Sequence, residues 1–296
     1  MTDIHIAVPA GNWCGEGPLW SARDQALYWT DINRYLLQRY DPATASVRFW
    51  MFDEPVCATA LTDTPGILLL ALGSKLVFWN EATDERTDFA LPETNLPASR
   101  LNDGRASPFG DFWVGSMQNN VDQNGQGKPV DDHHLGTLYR VLSDGSVSVE
   151  ERDLGISNTL CWSPDGTIFY FGDTLQNTIF AWDYDAATGE ISNKRKFFSG
   201  FERGKPDGSA IDSDGYIWNA RYGGSCIVRV APDGSIDRVV DMPVSNLTSC
   251  TFGGPDLKTL VVTSAAQPGE RQAGSVFSLN VDVAGLPENV FSRSPA

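Results

Sequence analysis

Five residues in this chain have the types and spacing to do chemistry together: Glu16, Arg100, Asn102, Asn158 and Asp207. Two carboxylates and two amide oxygens make a hard-oxygen donor set, in composition a site for a divalent cation. The two carboxylates would balance the cation's charge. Without it, Glu16 and Asp207 would repel each other, and burial would raise at least one pKa. Arg100, two residues before Asn102, adds a cationic hydrogen-bond donor. Taken singly, each residue sits in an ordinary turn-forming context: Gly15-Glu16-Gly17-Pro18, Leu101-Asn102-Asp103-Gly104, Ser157-Asn158-Thr159 and Pro206-Asp207-Gly208-Ser209. What joins them is a shared offset within a repeat, which turn formation does not require.

The repeat is a turn followed by a short buried strand. Its six copies are Gln25-Ala-Leu-Tyr-Trp, Gly66-Ile-Leu-Leu-Leu, Gly110-Asp-Phe-Trp-Val, Gly166-Thr-Ile-Phe-Tyr, Gly215-Tyr-Ile-Trp-Asn and Lys258-Thr-Leu-Val-Val. Their fourth residues, Tyr28, Leu69, Trp113, Phe169, Trp218 and Val261, are 41, 44, 56, 49 and 43 residues apart. A second apolar strand with an Asp-rich turn interleaves, starting at Leu37, Leu76, Leu138, Ile179, Ile227 and Val276. Eleven residues before each reference position stand Gly17, Ala58, Asn102, Asn158, Asp207 and Cys250, with Glu16 one residue further back.

Helical periodicity is nearly absent, and a unit of about 45 residues with four short strands is the size of one propeller blade. The expected architecture is therefore an all-β six-bladed propeller of four-stranded antiparallel blades, a single domain over residues 1–296. The segment Asp3–Val8 is expected to add to the last blade, Gly274–Phe291, and so close the ring. In such a ring the loops entering the inner strands face the central channel, so equal offsets in different blades converge there. The longest interval contains the polar, Gly-rich stretch Asn119–Gly136. It is expected as a surface loop inserted in the third blade, either plain or a mobile lid over a site.

Composition narrows the partners. The 296 residues carry a net charge of −16, which repels nucleic acid and anionic lipid. The longest aliphatic run, Ile67–Leu72, is far shorter than the roughly 20 residues a bilayer helix needs. No secretory signal is visible in Met1–Pro9. Five scattered cysteines without a CxxC pair suggest reduced thiols and a cytoplasmic protein. Cys57 and Cys250, at or beside the axial level, are expected as small core residues. Only His5, His133 and His134 are present, without metal-ligand spacing, and the adjacent pair is expected as solvated loop residues. There is no GxSxG elbow and no phosphate loop. The Asp-Gly pairs at Asp144, Asp165, Asp214 and Asp233 are expected as hairpin turns.

Several motifs, in order along the chain, resemble the gluconolactonase/regucalcin family of metal-dependent six-bladed propeller lactonases. They are Gly15–Trp20 (GEGPLW), Ser99–Arg105 (SRLNDGR), Phe112–Met117 (FWVGSM), Ser157–Gly166 (SNTLCWSPDG), Trp182–Arg195, Pro206–Trp218 (PDGSAIDSDGYIW) and Cys250–Leu260. The resemblance implies a metal held by Glu16, Asn158 and Asp207, and substrate contacts from Arg100 and Asn102. The sequence departs from the family at two places. Thr159 stands where the family motif has Gly, and Gln118, Asn119 and Asn120 follow Met117 where some members carry an acidic substrate contact. The missing acid puts a six-carbon gluconolactone in doubt, and the tail resembles that of pentonolactonases.

The implied reaction is hydrolysis of a sugar-acid lactone, an arabinono-, xylono- or gluconolactone for example, to the aldonate. In that reaction the metal acts as a Lewis acid, Asp207 orients or deprotonates the water, and Arg100 and Asn102 fix the sugar. The donor set admits Ca, Mg, Mn, Zn or Fe(II). A non-enzymatic calcium-binding propeller and a metal-dependent ester or organophosphate hydrolase remain open from the residues alone.

Overall fold

The computed structural model describes residues 3–94, 97–131 and 133–293. Residues 1–2, 95–96 and 294–296 of the expected domain, and residue 132 of the inserted loop, lie outside them. Among the described residues there is no α-helix, only a 3-10 turn at Ile32–Arg34. Six small antiparallel sheets are arranged as a six-bladed β-propeller. The inner strands are Gly15–Ser21, Val56–Thr62, Ser99–Ala106, Ser157–Trp162, Lys205–Ile211 and Leu247–Gly253, for blades one to six.

Each blade is packed between two others, so its inner strands are buried on both faces. That is why Ile67–Leu72 is a continuous apolar run rather than an alternating one. Outer strands such as Ser46–Met51 and Ile191–Ser199 are mostly exposed. The core divides into six apolar clusters, one at each blade–blade interface. All six reference residues are buried in them. The Asp-Gly turns form as expected, with Gly145, Gly166, Gly215 and Gly234 at positive φ.

The ring closes where expected: Ile4–Val8 pairs antiparallel with Val276–Asn280 in blade six. The rest of the tail corrects the expected last blade. Val290–Phe291 leaves blade six and pairs in parallel with Leu61 and Thr62, giving blade two a fifth strand. The edge of blade six is already taken by Ile4–Val8. The tail instead runs across the end of the ring where the inner strands finish. There Thr251 donates to Glu288 (2.7 Å), and Glu288 lies 3.4 Å from the Arg105 guanidinium. Phe291 is fully buried against Phe78 and Phe89.

The tetrapeptides that resemble turns are not loops entering the inner strands. They lie inside them, and every inner strand shows a register shift beside them: Glu16/Leu19, Val56/Ala58, Leu101/Gly104, Asn158/Cys161, Pro206/Ser209 and Leu247/Ser249. A bulge inserts an unpaired residue and re-aims the side chains around it. Gly104 makes room for one: a Cβ there would lie 2.9 Å from both the Phe112 ring and the Trp113 carbonyl.

Candidate active site at the open end of the channel

All five candidate residues lie in the first half of an inner strand, at the channel end opposite the tail, and all are at most 9% exposed. Hydrogen bonds connect blades three, four and five. Arg100 Nη1 donates to Asn102 Oδ1 (2.8 Å), and Asn102 Nδ2 donates to the Ser157 carbonyl (2.9 Å) and to Asn158 Oδ1 (3.3 Å). Asn158 Nδ2 donates to Thr174 Oγ1 (2.8 Å), whose own proton goes to the Pro206 carbonyl (2.7 Å), directly before Asp207.

The carboxylates are electrostatically unhappy without a cation. Burial pushes Glu16 up to about 8, aided by the charge of Asp103 and opposed by the Gly17 N–H and Arg100. Asp207 is raised well above the usual carboxylate range, by burial first and then by the charges of Glu16 and Asp103. The Asn158 amide nitrogen is committed to Thr174, and its oxygen, which accepts one bond from Asn102, has a second lone pair for a ligand. Among the described residues no three of His, Cys, Asp and Glu form a metal-holding group. A protein site here would therefore need the amide oxygen of Asn158 as its third donor. Two buried, mutually repelling carboxylates and one oriented amide oxygen fit a hard divalent cation.

Two neighbours, Asp103 and Cys14, were not singled out from the sequence. Asp103, beside Asn102 in the bulge, is pushed up to about 6 by burial, against the pull of Arg105 and the N–H groups of Gly104, Thr159 and Leu160. Its position in the Asn-Asp-Gly triplet was the available signal, masked because that triplet resembles a turn. The Cys14 thiol, two residues before Glu16, is raised by burial first and then by the charges of Glu16 and Asp207. Cys57 is buried as expected, but its Sγ also lies 3.9 Å from Arg100 Nη1. Cys250 is a core residue, its thiol on the Trp218 carbonyl. His133 and His134 are exposed, as expected, and the His5 side chain is 63% exposed.

The inserted loop runs over this end of the ring. Asn120 Oδ1 accepts from Arg100 Nε (3.2 Å) and Nη2 (2.8 Å). Further along, the Gly125 and Asp122 carbonyls accept from Asn33 Nδ2 (2.6 Å) and the Tyr35 hydroxyl (3.1 Å) of blade one. A loop that starts in blade three thus docks on blade one.

The profile of the SMP-30/Gluconolactonase/LRE-like region matches residues 14–266. The chain belongs to this family. Among its curated relatives, a 6-deoxy-6-sulfogluconolactonase of Pseudomonas putida is 34% identical over 288 residues, with 94% of each chain covered. A pentonolactonase of Haloferax volcanii is 33% identical over 293 residues, with 93% of each covered. Among solved structures of the SMP-30/gluconolactonase fold, a calcium-binding protein, regucalcin, from Agrobacterium tumefaciens superposes with a TM-score of 0.90. It is 29% identical and covers 98% of this chain, which covers 97% of it.

Proposed function

We propose that this protein is a metal-dependent lactonase that hydrolyses a sugar-acid lactone to the open aldonate. The observation that supports this reading is that Glu16, Asn158, Asp207 and the hydrogen-bonded Arg100–Asn102 pair are all buried in the first halves of inner strands, with the charge of Glu16 acting on Asp207. Relatives that are themselves named lactonases support it. A calcium-binding neighbour supports a divalent cation as cofactor, held by Glu16, Asn158 and Asp207. The five free thiols support a cytoplasmic setting.

Such a cation would supply Lewis acidity toward a carbonyl oxygen and ease the ionisation of water at the site. The protein's own groups account for the rest. The Arg100–Asn102 pair contacts the substrate, Arg100 through the Nη2 N–H not given to Asn120, while Asn102 holds the guanidinium and the Asn158 amide in place. The Asp207 carboxylate orients the attacking water and takes its proton as oxygen bonds to the carbonyl carbon. The ring carbon–oxygen bond then breaks, and a proton from Asp207 passes to the departing ring oxygen. The loop from Asn119, docked on Asn33, Tyr35 and Arg100, acts as a lid that limits bulk water.

One assay panel tests the proposal. Acid release is followed from arabinono-, xylono-, galactono- and gluconolactones with chelator-stripped protein and with added Ca, Mg, Mn, Zn or Fe(II). Turnover that needs a cation is expected for at least one lactone. Rates no faster than spontaneous hydrolysis throughout would refute it.

A further inference from the structure

We propose that Thr174 and Thr159 of blade four are positioning residues that orient Asn158 and Asp207 for the site described above. The proposal rests on the lactonase reading, because it assigns these hydroxyls a role toward the same cation and substrate.

The donors and acceptors around Thr174 allow one arrangement. A threonine hydroxyl has a single proton, and the Pro206 carbonyl at 2.7 Å can only accept it. The hydroxyl oxygen can then only accept from Asn158, and it does so from Nδ2 at 2.8 Å. A flipped Asn158 amide would place two acceptors against each other. Thr174 thereby fixes which end of the Asn158 amide faces the channel. It is itself 8% exposed, with its backbone N–H on the Ile156 carbonyl (3.1 Å).

Thr159 does the corresponding work on Asp207. Its Oγ1 donates to the Asp207 carbonyl at 2.5 Å, which also receives Asn219 Nδ2 at 3.0 Å. The peptide planes on both sides of the Asp207 Cα are thus held by hydroxyls from blade four, Pro206 by Thr174 and Asp207 by Thr159. Fixing both planes fixes the direction of the Asp207 side chain. Thr159 holds this position at a φ of 53°, a region costly for a β-branched residue, while fully buried. Gly172 leaves the space it needs: a Cβ there would lie 3.1 Å from both Cβ and Oγ1 of Thr159. A glycine at 159 would relieve the strain and lose the hydroxyl, so the retained strain points to the hydroxyl's use.

The test compares Thr174→Val, Thr174→Ser, Thr159→Gly and Thr159→Ser with the wild type. Mn2+ is titrated calorimetrically into chelator-stripped protein, and kcat and KM are measured for whichever lactone the wild type hydrolyses. Residues that support metal ligands typically change affinity or activity about 10- to 100-fold. Losses of that size in Mn2+ affinity and kcat are expected for Thr174→Val and Thr159→Gly, with KM little changed and both serine variants close to wild type. Thr159→Gly keeps the proposal testable should Thr174→Val fail to fold, since glycine suits the local backbone. Valine and glycine variants with wild-type affinity and kcat overturn the positioning role alone. A wild type that binds no cation and hydrolyses no lactone overturns the functional reading and this proposal with it.

Discussion

The side-chain oxygen of Asn120 is held by two donors of Arg100, Nε at 3.2 Å and Nη2 at 2.8 Å, so the loop and the site share one guanidinium. Arg100 is 5% exposed, and the remaining contacts of its guanidinium are the Asn102 amide oxygen, the Leu101 carbonyl and the Cys57 sulfur. A planar fork can serve Asn102 and Asn120 at once, which an ammonium cannot.

Arg100→Lys is therefore expected to lower kcat/KM by roughly 10- to 100-fold through misplacement of the substrate. Mn2+ affinity should stay close to wild type, because Arg100 is not among the proposed ligands. Steady-state kinetics beside a metal titration separate the two effects, and an equal loss in both would remove Arg100 from its assigned role.

Asp207→Asn keeps the shape and removes the proton acceptor. A fall in kcat of about 100- to 10,000-fold is expected, the usual range for a general base. Glu16→Gln should act first on cation affinity, with activity partly recovered at high metal concentration. Circular dichroism should show both variants folded, since neither side chain belongs to the apolar clusters between blades.

Stability of the chelator-stripped protein should depend on pH with a definite sign. Glu16 is held near 8 in the fold, against an ordinary value of 4.5. Between those values the folded chain binds more protons than the unfolded one, so stability falls as pH rises. The contribution is complete below about pH 4.5 and lost as pH passes through about 8. A divalent cation should oppose this loss, raising the melting temperature more at the alkaline end. Melting curves with and without chelator from about pH 5 to 9 check it, and a cation effect that shrinks with rising pH contradicts it.

The tail offers a control far from the chemistry. Phe291→Ala empties a fully buried site between Phe78 and Phe89 and should cost about 3–5 kcal/mol. Denaturant unfolding measures the loss. kcat at low temperature should remain near wild type, because the tail pairs with Leu61 and Thr62 at the ends of the inner strands opposite Glu16 and Asp207. A large drop in kcat would tie the two ends together.

Much of this protein is legible from local pattern. Six turn-and-strand units recur because every blade must solve the same packing problem between two neighbours, and Trp113, Phe169 and Trp218 mark the same buried strand in each. The shared offset of Asn102, Asn158 and Asp207 survives because the inner strands bulge at matching places, whether the tetrapeptides are read as turns or as strand. What depends on ring closure is not local and has no sequence period. Val290–Phe291 continues the chain of blade six yet pairs with blade two, because the edge of blade six is already occupied. Asp103 lies within a bulge that breaks the strand alternation, and its charge reaches Glu16 and Asp207. The Thr174 contact to Pro206, 32 residues away, and the Asn33 contact to Gly125, 92 residues away, exist only once neighbouring blades are set at their angles around the axis. Residue types and spacing thus determine the repeat and its polar level. The hydrogen bonds that aim those polar groups are decided by the tertiary structure, since each joins blades whose contact no single repeat encodes.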